Sequence, residues 1–226
     1  MKLVWSPETA SKAYIDTVKS CELLHGSSVA ELISAMAAGW NAEVIVETWA
    51  RGGAILVSIG LAVAAHHTKG RHICIVPDEE SRAEYVEAMS QSGQSDYEML
   101  VGEPEEVIEG LQGIDFLVVD CGGDNDFARI IRAADLGRRG AVLVCKNAAA
   151  ASRAAYGGGF RWRSVLEGKS RIVRSVFLPV GDGLDVAHVG AVGGNSGEAK
   201  RESRWIKRID RHSGEEFVIE NELSCL

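Results

Sequence analysis

The stretch "IVETWARGGA" (45–54) ends an apolar run in an acid, Glu47, and follows it with two glycines, Gly52 and Gly53. A longer apolar run, "AILVSIGLAVAA" (54–65), comes next. A buried strand, an acid, a glycine turn and a helix are the parts of a ligand-binding corner in a doubly wound fold. Glycine lets the backbone come close to a ligand, and the acid accepts hydrogen bonds from a ribose or an amino group. Trp49 and Arg51 stand inside this loop, so its sequence raises the question of whether a cofactor still fits. There is no GxGxxG and no GxxxxGK[ST], so the local motif alone assigns neither a dinucleotide nor a triphosphate.

On both sides of the loop, helical and strand patterns alternate. Ser6-Pro7-Glu8 is a helix start, with Ala10, Tyr14, Val18 and Cys21 at helical spacing behind it and an end near Gly26. Ser28 and Glu31 form a capping box for a second helix, whose apolar face is Val29, Leu32, Ile33 and Met36 and which Gly39 closes. Strands are predicted over 43–48, 71–77, 97–102, 114–121 and 141–147. The segments between them, 54–67, 79–92, 103–111 and 126–137, are predicted helices. Continuous Val/Ile/Leu strands alternating with helices imply a parallel sheet covered on both faces. Residues 148–171 read as irregular, and "RIVRSVFLPV" and "LDVAHVGAV" flank a "GDG" turn as an antiparallel pair. The fold class is therefore α/β: a Rossmann-like doubly wound sheet, mostly parallel, with a C-terminal antiparallel hairpin. Residues 1–192 form that domain, with 1–40 as a helical start. Residues 193–226 are a C-terminal extension, a loop and a hairpin around Ser213–Gly214.

Composition limits the function classes. The chain has 226 residues, 46% of them apolar, enough for one large core. The opening residues lack the apolar core of a secretory signal, and 54–65 is too short to span a bilayer. An intracellular, cytoplasmic protein without a membrane partner is expected. Five cysteines without a CxxC pair read as small buried residues. The net charge is −8, but it divides unevenly: 7 Lys/Arg against 19 Asp/Glu up to residue 120, and 17 against 13 beyond it, or −12 and +4. The excess sits in 161–174 and 201–211. A solvated surface accounts for it; a phosphate-bearing ligand is the sharper alternative, and nucleic acid is not the expected partner.

Four strand ends converge on one crevice and carry Glu47, Pro77–Asp78, Asp120 and Lys146–Asn147. "LPVGDGL" (178–184), "VETWARGGAI" (46–55), "LVGEPEEVIEGL" (100–111) and "FLVVDCGGDND" (116–126) follow one another in an order that resembles the S-adenosylmethionine-dependent O-methyltransferases of the catechol and caffeoyl-coenzyme A type. The resemblance covers roughly residues 28–192. The whole chain also resembles a plant family of uncharacterised methyltransferase-like proteins that share an opening similar to "WSPETASKAYIDTVK" (5–19).

The resemblance implies S-adenosylmethionine held by Glu47, Gly52, Gly53, Asp78, Glu103 and Asp120. The departures are as informative. The family's first loop glycine falls on Trp49, and Cys74 falls at the ribose-binding acid, leaving Asp78 as a helix cap. Asp120 and Asn147 match two divalent-metal ligands, whereas Lys146 replaces the middle one. A protonated ammonium cannot ligate a metal, so no metal is expected. Lys146 and Asp120 are the catalytic candidates, Lys146 either standing partly in the metal's place or forming an ordinary ion pair. Three readings remain open: a non-catalytic or atypical descendant that binds a small-molecule ligand or a protein partner, a metal-independent methyltransferase acting on a small acceptor, and a binder of a phosphate-bearing ligand or nucleic acid through the basic C-terminal half. Catechol-type relatives are often dimers, which extends to this chain the expectation of a homodimer.

Overall fold

The computed structural model describes residues 4–22, 29–121, 127–149, 162–166 and 170–191, with Arg163 in backbone only, and the backbone of 205–209 and 216–220. Two helices open the chain, α1 (Pro7–Cys21) and α2 (Val29–Gly39). An alternating series follows: β1 (Val44–Thr48), α3 (Leu56–Thr68), β2 (Arg71–Val76), α4 (Glu79–Gln91), β3 (Glu98–Val101), α5 (Pro104–Val107), β4 (Phe116–Asp120), α6 (Phe127–Ala133) and β5 (Ala141–Lys146). A short helix, α7 (Trp162–Val165), precedes the hairpin β6 (Ile172–Leu178) and β7 (Leu184–Val189). The seven strands form one sheet in the order β3-β2-β1-β4-β5-β7-β6. β1 to β5 pair in parallel, and β7 joins β5 antiparallel with β6 at its outer side. The chain divides at residue 192 into two compact units. The second holds a two-stranded antiparallel pair, β8 (Trp205–Ile209) and β9 (Glu216–Glu220).

The strand sequences explain the layers. Ile45, Phe116, Val118, Val142 and Val144 face α1, α2 and α3. Their neighbours Val46, Leu117, Val119, Leu143 and Cys145 face α6 and α7. Both faces are buried, as uninterrupted apolar strands require. The turn between β6 and β7 supports the end of β5: Ala148 N donates to Gly183 O and Ala149 N to Asp182 O. The "GDG" segment therefore holds the strand end that carries Lys146.

Three expectations are revised. The buried face of α1 is Ala10, Ala13, Thr17 and Cys21, whereas Tyr14 and Val18, grouped with it on periodicity, are exposed. Small residues win that face because α1 packs closely on α2, where the Thr17 hydroxyl donates to Ser34 Oγ at 2.8 Å. The helix predicted to 137 ends at Ala133. The stretch read as irregular contains α7, whose Trp162 is buried and donates Nε1–H to Asp185 Oδ1 at 2.7 Å. Trp162 thus anchors this loop on β7. Ser28, Asp124, Asp126 and, of the two basic stretches, residues 161, 167–169, 201–204, 210 and 211 lie outside the described residues.

At the opposite end of the sheet from the crevice, Asp115 is buried. Its Oδ2 accepts from Glu43 N at 3.0 Å, Val44 N at 3.4 Å and Arg139 Nη2 at 2.7 Å. Asp115→Ala leaves two backbone N–H groups and part of a guanidinium without a partner. The expected loss is about 2–3 kcal/mol, read as a lower urea midpoint with an unchanged slope.

Candidate functional site

The strand order reverses between β1 and β4, which places a crevice above the carboxyl ends of these strands. Glu47 lies at this end of β1, and its side chain is fully buried. Its Oε1 accepts from His72 Nε2 on β2 at 3.0 Å and from the Tyr85 hydroxyl on α4 at 2.8 Å. Burial pushes the Glu47 carboxyl up, but the His72 hydrogen bond and the charges of His72 and Lys146 outweigh it and hold the group below its usual value. The carboxylate is thus ionised at neutral pH, and His72 Nε2 must carry the proton it donates. The buried Ser58 hydroxyl on α3 also favours the ionised form, although it closes no hydrogen bond, and Glu47 Oε2 has no partner either. Burial, with the Glu47 charge behind it, pushes the Cys74 thiol and the Tyr85 hydroxyl well up, so both stay protonated.

Trp49 forms a lid over this cluster. Its backbone N–H extends the ladder by donating to Ile75 O at 2.9 Å. Its indole is 3% exposed and meets the Tyr85 ring edge-on, with centroids 5.4 Å apart. The rest of the loop is drawn towards α4. Arg51 pairs with Glu80 at 2.5 Å and Glu84 at 3.5 Å, and Gly52 N donates to Glu84 Oε1 at 3.0 Å. Gly52 has φ +75°, a left-handed conformation that favours glycine. Gly53 does not face open space: a Cβ there would lie 2.9 Å from Trp49 Nε1 and 2.8 Å from Ala50 O.

The other predicted residues separate into two groups. Asp120 and Lys146 are register partners on β4 and β5, with Nζ 3.5 Å from Asp120 Oδ2. Asn147, at φ +58°, donates its amide to Asp120 Oδ1 at 2.8 Å and Oδ2 at 2.9 Å. The strand ends thus bring the three side chains together, with the Lys146 ammonium and the Asn147 amide both set against the Asp120 carboxylate. Asp78 caps α4 by accepting from Ser81 N at 2.7 Å. Glu103 is exposed at the start of α5 and makes no capping bond.

These residues do not fit S-adenosylmethionine in the way the resemblance implies. The Glu47 carboxylate is held by His72 and Tyr85, the space beside Gly53 contains the indole, Cys74 is buried at the β2 position, and Asp78 is a helix cap. Among the described residues, no group of three or more His, Cys, Asp and Glu side chains is placed to hold a metal ion. No described helix is long and apolar enough to cross a membrane.

His72 and Tyr85 were absent from the sequence-based candidates. Their one signal was indirect: a histidine on the strand beside a buried acid, and a tyrosine in the helix that follows.

The sheet and its order match the Rossmann-like fold of solved methyltransferases. A putative caffeoyl-CoA O-methyltransferase from Staphylococcus aureus shares it at TM-score 0.56 and 14% identity, over 78% of this chain and 92% of that one. A methyltransferase from Geobacter sulfurreducens gives TM-score 0.55 and 18% identity, over 78% and 88%. An O-methyltransferase involved in tomaymycin synthesis in Streptomyces achromogenes, solved in complex with SAM, gives TM-score 0.53 and 20% identity, over 84% and 92%. No curated protein matches the sequence. Residues 1–221 match one family throughout, and the chain belongs to it: the family described as "Protein of unknown function (DUF1442)".

Proposed function

We propose that this chain is a non-catalytic descendant of the O-methyltransferase fold, in which its own side chains fill the former cofactor corner and the domain binds a small-molecule ligand or a protein partner. One observation carries this reading: the Trp49 indole is buried against Tyr85 and beside Gly53, where a cofactor would need close backbone approach. The complete internal engagement of Glu47 Oε1 supports it.

Thermal melting and calorimetry of the full chain with S-adenosylmethionine or its demethylated product, with and without Mg²⁺, test the proposal. The expected result is no rise in melting temperature and no heat of binding at millimolar ligand. A ligand at 100 times its Kd stabilises by about 2.7 kcal/mol. A saturable shift of several degrees would overturn the reading.

A second reading is favoured by the Asp120–Lys146–Asn147 corner, where a carboxylate with one-third of its side-chain surface exposed lies beside a buried ammonium. Such a corner can orient an acceptor hydroxyl and stabilise a phenolate without a metal. That reading requires the same titration to give the opposite result.

A further inference from the structure

Strand alternation brings three charges to one face of the sheet. Ile45, Val118 and Val144 face the layer of α1, α2 and α3. Side chains two residues apart on a strand share a face, so Glu47, Asp120 and Lys146 follow them at the carboxyl ends of β1, β4 and β5. Two carboxylates thus stand against one ammonium. The backbone of Lys146 is held from both sides: its carbonyl accepts from Cys121 N at 2.9 Å, and it pairs in register with Leu184 of β7.

The ammonium is poorly satisfied. The Lys146 side chain is 8% exposed, and Nζ has one ion pair, with Asp120 Oδ2 at 3.5 Å. An ammonium carries three N–H donors, yet among the described residues Lys146 makes no side-chain hydrogen bond. Buried donors without acceptors are rare and costly, the more so when charged. The corner therefore calls for an acceptor oxygen from outside, and the way in lies past Asp120, one-third of whose side chain is exposed.

The surrounding charge selects the kind of oxygen. A phosphate or carboxylate would meet Asp120 and the ionised Glu47, two negative charges against one positive. A neutral carbonyl oxygen accepts from the ammonium without that repulsion. It also brings an electrophilic carbon to the nitrogen, beside a carboxylate that can take the nitrogen's proton.

We propose that Lys146 captures a small neutral aldehyde or ketone as a reversible imine, with Asp120 moving the protons. This names the ligand class of the small-molecule binder proposed above and rests on that reading. Asp120 takes a proton from the ammonium, and the freed amine attacks the carbonyl carbon. The carbonyl oxygen takes the proton from Asp120 and becomes the hydroxyl of a carbinolamine. A second proton passes from nitrogen to that hydroxyl through the same carboxylate. The C–O bond breaks, water leaves, and the nitrogen lone pair closes a protonated C=N bond. Asn147, which donates to both Asp120 oxygens, holds the carboxylate in place.

Incubating the full chain with propanal and sodium cyanoborohydride tests the proposal, because the hydride reduces an imine to a stable N-propyl amine that peptide mass spectrometry locates. Exposed Lys12 and Lys19 serve as references within the same chain. Lys146, although nearly buried, should be alkylated about tenfold faster than either. Lys146→Arg keeps a cation beside Asp120 and should lose the fast phase of propyl incorporation. Asp120→Asn should slow alkylation of Lys146 about a hundredfold and leave the Lys12 rate unchanged. Glyoxylate, an anionic aldehyde, should favour Lys146 over Lys12 less than propanal does. Lys146 reacting no faster than Lys12 would overturn the proposal, and a ligand held by hydrogen bonds alone gives that result. An unchanged Lys146 rate in Asp120→Asn, or a greater preference for Lys146 with glyoxylate, would also overturn it. A melting shift with S-adenosylmethionine overturns the function proposed above, whereas slow alkylation of Lys146 overturns this inference alone.

Discussion

Glu47→Ala should lower the melting temperature by about 10 °C or more. Its carboxylate is the shared acceptor for His72 Nε2 and the Tyr85 hydroxyl, and all three groups are buried. Truncation leaves a ring N–H and a hydroxyl in a dry interior, and leaves Lys146 without one of its two nearby negative charges. Leaving a buried donor unsatisfied costs about 1–3 kcal/mol, so two such donors take a large part of the roughly 5–15 kcal/mol that holds a domain together. Each kcal/mol moves the melting point of a chain of this size by about 2–4 °C. Glu47→Gln retains a carbonyl acceptor for one donor and should fall between wild type and Glu47→Ala.

The same group gives the protein an acid limit with a definite sign. The Glu47 carboxyl is held below its ordinary 4.5 in the folded chain. Its stabilisation is therefore complete above that ordinary value and is lost as the pH falls through the lowered folded one. Urea midpoints of wild type should fall steeply below about pH 4.5, and those of Glu47→Gln should fall less. A solvent-exposed cofactor ligand would give neither the large loss nor this pH dependence. The measurement thus separates a structural Glu47 from a ligand-binding one.

The fold was legible because its signals are local. "FLVVD" and "AVLVC" can only be strands buried on both faces, and "GDG" between two alternating runs forces the hairpin. The Asp120–Lys146–Asn147 corner was legible for a related reason: strand ends in a parallel sheet share one edge, so register alone brings the residues together. Glu47's partners were not. His72 reaches Glu47 diagonally, since Glu47 pairs in register with Cys74, and Tyr85 arrives from α4 at a rotation that only packing fixes. α1 shows the same limit: periodicity cannot distinguish a stripe that packs inward from one that stays exposed, and the small residues took the inward side. The sequence placed Trp49 in the loop but not the direction of its indole, which packs against Tyr85 of α4.

Trp49→Gly and Trp49→Phe should behave oppositely. Glycine removes a nearly fully buried ring and its edge contact with Tyr85, and it adds chain entropy to a loop that already contains Gly52 and Gly53. Truncating a buried Trp costs about 3–5 kcal/mol, so the variant should melt about 10 °C lower. Phenylalanine retains a ring against Tyr85 and eliminates a liability, because Trp49 Nε1 is buried and donates to nothing. An unsatisfied buried donor costs about 1–3 kcal/mol, comparable to the apolar area that the smaller ring gives up. Trp49→Phe should therefore stay within about 1 kcal/mol of wild type. If the indole were instead a hinged cover that swings out to admit a ligand, Trp49→Gly would cost little and S-adenosylmethionine would raise its melting point. The buried geometry predicts the reverse: a large loss on truncation and no recovery on adding S-adenosylmethionine, since His72 and Tyr85 continue to hold the Glu47 carboxylate after the ring has gone.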